Sequence, residues 1–320
     1  MSATAAALPV PAVLPAPRIR GVGLCSGWGR GAAAIPSDAR AAAAGRPLVG
    51  LGPADPAALG FSAERMCRAT RECLWALASV QAMLEDVGAG RQAIAGDGTA
   101  LVFVSAAVYG ASNRAFIERS GGGTHFAYTA PAVIPAEVAI EFRLTGPSAL
   151  FIGGPPATLH GIWHAASLLA DGVCERALVV AVETFAECGE LYERGRRLAG
   201  APLVEAAACA WLEPGPGTLS LALGAARGPR RSAIAARLGE TFACEPLAAI
   251  ACWRAEGARE PLVLEGRWRR EAARLAWLAA PAEGALPGGP AWRGAAEGEL
   301  CGGPAWRGAA EGELRGNEVG

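Results

Sequence analysis

The sequence predicts an α/β fold built on a parallel sheet, and two stretches carry that prediction. In the first, Leu150 to Ile152 reads as a strand, Ala157 to Asp171 as a helix with Leu159, Ile162, Trp163, Ala166 and Leu169 on one stripe, and Ala177 to Val182 as a second strand. Gly172 stops the helix. Strand, helix, strand in direct succession is a βαβ unit, which requires parallel strands and a right-handed crossover. In the second stretch, Thr99 to Ala107 (TALVFVSAA) is apolar almost throughout, the pattern of a strand buried on both faces. The composition agrees, since 52% of the 320 residues are hydrophobic, enough for a substantial core.

The remaining elements follow along the chain. Met1 to Pro17 is rich in Ala and Pro without a basic leader before an apolar run, so it reads as a flexible extension and not a signal peptide. Arg18 to Leu24 is a short strand leading into a loop with Gly27, Gly29 and Gly31, which lacks the flanking strand and acidic residue of a dinucleotide site. Ala63 to Val87 has helical periodicity, with Ser62 as N-cap and Gly88 as stop. Asn113 to Glu118 and Glu137 to Leu144 read as helical. Glu205 to Glu213 and Leu219 to Ala225 read as a pair of adjacent strands, and Gly228 to Gly239 as an exposed link. A helix over Glu245 to Glu256 and a strand over Pro261 to Glu265 follow, then Trp268 to Leu278 as strand or helix. The segment 288–300 (GGPAWRGAAEGEL) recurs without a mismatch at 302–314, so residues 281–320 read as a disordered tail.

The composition also excludes several function classes. The net charge of −1, from 29 basic and 30 acidic residues, predicts no nucleic-acid surface. Every basic residue is arginine, so the chain has no Schiff-base, pyridoxal-phosphate or Walker-A lysine. The nine cysteines form no CxxC pair and read as buried hydrophobes or free thiols in a reducing compartment. His160 and His164 stand one helical turn apart, but the motif is His-Gly-Ile-Trp-His without the glutamate of a zinc-protease helix. Neither a metal nor an organic cofactor is expected. No apolar run is long enough to span a membrane, and the expected location is the cytoplasm.

The segment from Gly146-Pro147-Ser148 through the strand, Gly153-Gly154-Pro155-Pro156, the helix with His160 near its start, and the strand ending at Glu183 resembles the nucleophile region of β-ketoacyl synthases of the thiolase fold. Pro131 to Pro135 with Ala139 to Ser148, and Glu205 to Glu213, resemble two further segments of that family in the expected order. The resemblance covers roughly residues 18–225 and implies a thiolase-like layered α/β fold. It divides the chain into an N-terminal extension (1–17), a ketosynthase-like N-terminal domain (18–225), a degenerate second half (226–280) and the tail (281–320).

In that family the elbow carries a nucleophilic cysteine; here Pro155 stands in its place. Proline has no thiol to acylate and no N–H to offer an oxyanion. No cysteine lies between Cys73 and Cys174, the only histidines are His125, His160 and His164, and the downstream histidines and lysine of the family are missing. The resemblance therefore implies a non-catalytic subunit of the short, cysteine-less chain-length-factor type. Such a subunit pairs with a catalytic ketosynthase, shapes an acyl pocket and serves acyl-carrier-protein thioesters in fatty-acid, aryl-polyene or polyketide synthesis. Implied pocket or interface residues are Phe126, Tyr128, Ser148, Phe151, Ile152, Pro155 and His160, with pairing through the edge strand Ser148 to Ile152. Two alternatives stay open: a small acyltransferase or hydrolase using His125 or His160, or a decayed pseudo-enzyme. Glu183, at the strand end, is expected in a structural ion pair.

Overall fold

The computed structural model describes residues 12–118, 130–199, 201–225, 232–257 and 261–278, all within one compact unit, Met1–Pro281. Its strands are β1 (Ala12–Pro15), β2 (Arg18–Ser26), β3 (Gly29–Arg30), β4 (Leu48–Val49), β5 (Thr99–Ser105), β6 (Ser148–Ile152), β7 (Arg176–Glu183), β8 (Leu203–Val204), β9 (Ala206–Glu213), β10 (Thr218–Ala225), β11 (Leu262–Trp268) and β12 (Glu271–Leu278). Its helices are α1 (Ala39–Ala43), α2 (Arg71–Val87), α3 (Gly110–Ile117), α4 (Val133–Phe142), α5 (Pro155–Ala170), α6 (Phe185–Ala199), α7 (Ala233–Leu238) and α8 (Glu245–Ala255).

The central sheet runs β3-β2-β9-β7-β5-β6. As predicted, the βαβ unit is parallel, but β6 and β7 are not neighbours: both pair with β5, which lies between them. Alternation along the middle strands divides the core in two. Ala100, Val102 and Val104 of β5 and Ala177, Val179 and Ala181 of β7 join one apolar cluster, while Leu101, Phe103, Leu178 and Val180 join the other. A strand buried on both faces has to be apolar at consecutive positions, and both strands are.

The second face is covered by α2 and α4. The first is covered by α5 and α8, which a four-stranded antiparallel sheet, β1-β10-β12-β11, covers in turn. Leu219, Leu221, Leu262, Leu264, Leu275 and Trp277 of that sheet share the cluster with Leu159 and Ile162 of α5. Helix α5 thus lies between two sheets. Gly161 permits its close approach to β5, since a Cβ there would stand 3.1 Å from Val104 Cγ2.

Several sequence expectations are corrected. Ala12–Pro15 is no flexible extension: it pairs antiparallel with β10, and the Trp277 indole donates to Pro17 O at 2.9 Å. Helix α2 begins at Arg71, where the Thr70 hydroxyl accepts from Cys73 N; the Ser62 hydroxyl instead accepts from Arg65 N at 3.3 Å, where a short 3-10 turn, Arg65–Arg68, begins. Helix α4 starts four residues earlier than read, at Val133, and ends at Phe142. Strands β9 and β10 do not pair; they belong to different sheets, so the boundary at 225 cuts through the outer sheet. Part of the expected exposed link, Ala233–Leu238, is helix α7 with Ala235 and Leu238 buried. The repeat-bearing tail lies outside the described residues.

Candidate functional site

The site forms where β6 turns into α5. Gly153, at φ 156°, takes a backbone conformation that side chains disfavour, and its N–H donates to Ser105 O at 3.0 Å, which ties the turn to the end of β5. Gly154 is the N-cap of α5, and Pro155 and Pro156 fill its first turn. Proline suits this position because its missing N–H is one that the first turn of a helix leaves without an intrahelical acceptor. The consequence for chemistry is direct. A helix N-terminus ordinarily offers free N–H groups to an anion, whereas here two are absent and the next, on Ala157, donates to Gly154 O at 2.9 Å.

Strand β11 closes the elbow from outside. A Cβ on Gly266 would lie 2.7 Å from both Pro155 C and Pro156 N, so the strand backbone rests directly on that peptide. Two residues on, the Trp268 ring covers Gly154, and Phe242 meets the same ring edge-on at 5.4 Å. Pro155 is buried in consequence.

A cavity of about 620 Å³ opens beside this plug, between the elbow and the β11–β12 turn. Of the residues expected from the sequence, Phe151, Ile152 and His160 line it, together with Pro156, Trp268, Arg269 and Arg270. Pro155 does not. It lines a smaller recess of about 120 Å³ on the other side, with Glu240, Glu245, Glu265 and Arg267. Ser148 is exposed at the start of β6, the edge strand of the central sheet, and Leu150 and Ile152 are exposed further along it. Phe126, Tyr128 and His125 lie outside the described residues. His164 faces Phe151 with ring centroids 5.7 Å apart. Among the described residues, no group of three or more His, Cys, Asp or Glu side chains is placed to hold a metal ion.

Trp268, Arg269 and Arg270 were not legible as site residues. The periodicity of 268–278 fits strand and helix alike, and only the pairing of Trp268 with Glu271 reveals a two-residue turn.

Three buried titratable groups, Glu183, Cys188 and Cys244, are shifted upward by their burial. Among the described residues Glu183, at the end of β7, makes no ion pair, contrary to expectation. Its carboxylate accepts from Ala106 N at 2.6 Å and from the Cys188 thiol at 2.7 Å, and burial pushes it up to about 8. Burial likewise raises the thiols of Cys188 and Cys244 well above the ordinary cysteine value, so neither is poised as a thiolate. Another buried acid is Glu205, just before β9, which receives Arg71 through both oxygens and also accepts from Leu51 N and Phe185 N, tying the start of β9 to α2 and α6.

A layered stack of helices and sheets with a strand-to-helix elbow beside its edge strand is a thiolase-like fold of the ketosynthase type. The family model for the beta-ketoacyl synthase N-terminal domain matches residues 31–202, more than half of the chain. The chain belongs to the beta-ketoacyl synthase family. No curated protein matches it significantly by sequence. Among solved structures it resembles the ishigamide ketosynthase/chain length factor, at 16% identity and TM-score 0.65, covering 83% of this chain and 100% of that one. It also resembles a type II PKS acyl-carrier protein in complex with its ketosynthase bound to the hexaketide (14%, TM-score 0.62, 83% and 99%). A third resemblance is to a ketosynthase in complex with its chain length factor from Xenorhabdus doucetiae (15%, TM-score 0.55, 82% and 99%). Identities this low establish a shared fold. No helix among the described residues is long and apolar enough to cross a membrane.

Proposed function

We propose that this protein is a non-catalytic ketosynthase-like subunit of the chain-length-factor type. It pairs through β6 with an active β-ketoacyl synthase in the cytoplasm and contributes an acyl-pocket wall to a partner working on acyl-carrier-protein thioesters, in fatty-acid, aryl-polyene or polyketide synthesis. The observation that carries this reading is the elbow. Where the family places a nucleophile and amide donors, this chain has two prolines under Gly266 and Trp268. A sheet edge that no described residue pairs with, beside an apolar cavity, supports the pairing, because an unpaired strand is a template for another chain. Solved relatives described as ketosynthase and chain length factor complexes, and one with an acyl-carrier protein, support the choice of partners.

The test is affinity purification from the native host, followed by incubation of the pure protein with acyl thioesters. Recovery of a ketosynthase or an acyl carrier protein, with no covalent acyl adduct by mass spectrometry, is expected. Purification without either partner, or a stable adduct on a serine or cysteine, would overturn the reading; the adduct would favour an acyltransferase or hydrolase.

A further inference from the structure

The cavity of about 620 Å³ is apolar along its wall and cationic at its rim, and its size falls among clefts that hold small organic ligands, roughly 300–1,000 Å³. Phe151, Ile152, Pro156, Ala157 and Trp268 supply the wall. The β11–β12 turn brings Arg269 and Arg270 to the rim against a single acid, Glu271. Both arginines are exposed, and among the described residues neither has an ion pair or hydrogen-bond partner. Other arginines of the same sheet and of α7 and α8 are paired: Arg274 with Glu265, Arg237 with Glu256 and Arg254 with Asp86.

The turn itself is unusual. Arg269 sits at φ 55°, in the left-handed region where Gly or Asn costs less. A two-residue hairpin that keeps arginine there holds its charge beside the cavity at some conformational cost.

We infer that this cavity binds an anionic amphiphile, an acyl chain ending in a free carboxylate. The chain lies along Phe151, Ile152 and Trp268, and the head group sits at Arg269 and Arg270. Binding is non-covalent and needs no partner subunit. The inference shares its cavity with the function proposed above, but not the pairing with a ketosynthase.

Calorimetric titration of the full chain tests it with dodecanoate and dodecanol as probes. Dodecanoate is expected to bind, with dodecanol weaker by about tenfold, since only the carboxylate forms charge-assisted bonds with the guanidinium groups. The double variant Arg269→Asn/Arg270→Gln should lose about tenfold for dodecanoate and nothing for dodecanol. Both positions are exposed, and Asn tolerates the left-handed backbone. The chain has 3 histidines, so the His160 ring resonance, assigned by its loss in His160→Gln, reports location and should move on adding dodecanoate. Equal affinity for acid and alcohol, an unaffected double variant or an unmoved His160 signal would each overturn the inference; the first and third use the unaltered protein. A protein that fails to bind dodecanoate but still recruits a ketosynthase removes this inference alone. One that binds dodecanoate and recruits no ketosynthase removes the pairing alone.

Discussion

The Trp268 ring occupies the space into which any side chain at residue 154 would project: a Cβ on Gly154 would stand 2.4 Å from Trp268 Cε3 and 2.5 Å from Cδ2. Gly154 has an extended backbone, φ −79° and ψ −151°, that any residue adopts. The requirement for glycine is therefore imposed by the tryptophan, not by the turn.

Gly154→Ala is expected to destabilise the protein by about 1–3 kcal/mol, the usual cost of overpacking a filled site. Urea unfolding measures it. In the Trp268→Leu background the same change should cost less, giving a coupling energy between the two positions. Equal costs in both backgrounds would mean that the ring does not set the constraint.

Pro155→Cys restores a thiol and an amide at the elbow, yet Pro156 still lacks its N–H and Gly266 still rests on the peptide between them. Because nucleophile, base and oxyanion donors act as a unit, no condensation of malonyl and acyl thioesters by the isolated variant is expected. The new thiol, at a buried position, should react with a thiol reagent only slowly. Turnover would reveal a catalytic base elsewhere.

Leu150→Asp, on the exposed edge strand β6, should leave the melting temperature within a few degrees, because surface substitutions usually change stability by about 0.5 kcal/mol or less. It should abolish co-purification with a ketosynthase, since an unpaired charge at a sheet edge blocks strand addition. Retained pairing would place the interface elsewhere.

Glu183 makes stability depend on pH. Its folded pKa, about 8, lies above its ordinary 4.5, so the folded state keeps the proton over that interval while the unfolded state releases it. Its contribution is fully present below about pH 4.5 and is lost as pH rises through about 8. Glu183→Gln retains an acceptor for Ala106 N and should flatten this part of the profile. The difference between variant and parent, by urea unfolding from pH 5 to 8.5, isolates the effect. An unchanged slope would mean that Glu183 is ionised in the fold.

Arg71→Leu removes the cation that meets Glu205, whose side chain is only 3% exposed. Leu51 N and Phe185 N still donate to the carboxylate, but its charge is left without a counter-ion. A loss of about 3–5 kcal/mol is expected, with partial recovery in the double variant Arg71→Leu/Glu205→Gln, where no charge remains buried and an amide oxygen is still there to accept from the backbone. Chemical denaturation checks both.

By itself the sequence determined the parallel strands at the heart of the central sheet and the helix that crosses it, though not the order of the sheet. Consecutive apolar positions at Thr99–Ala107 and Ala177–Val182 point to strands covered on both faces, and the stripe from Leu159 to Leu169 to a helix between them in the chain. It also determined that residue 155 brings no thiol to the elbow, because proline carries none in any fold. What lies against the elbow was decided by tertiary structure. Gly266 and Trp268 meet residues 154 to 156 across more than a hundred residues of chain, and Ala12–Pro15, with no periodicity of its own, becomes a strand because β10 offers it an edge. Periodicity reports which face of an element is buried, but not which element covers it, and the cavity beside Phe151, its arginine rim and the closure of the elbow all depend on the second.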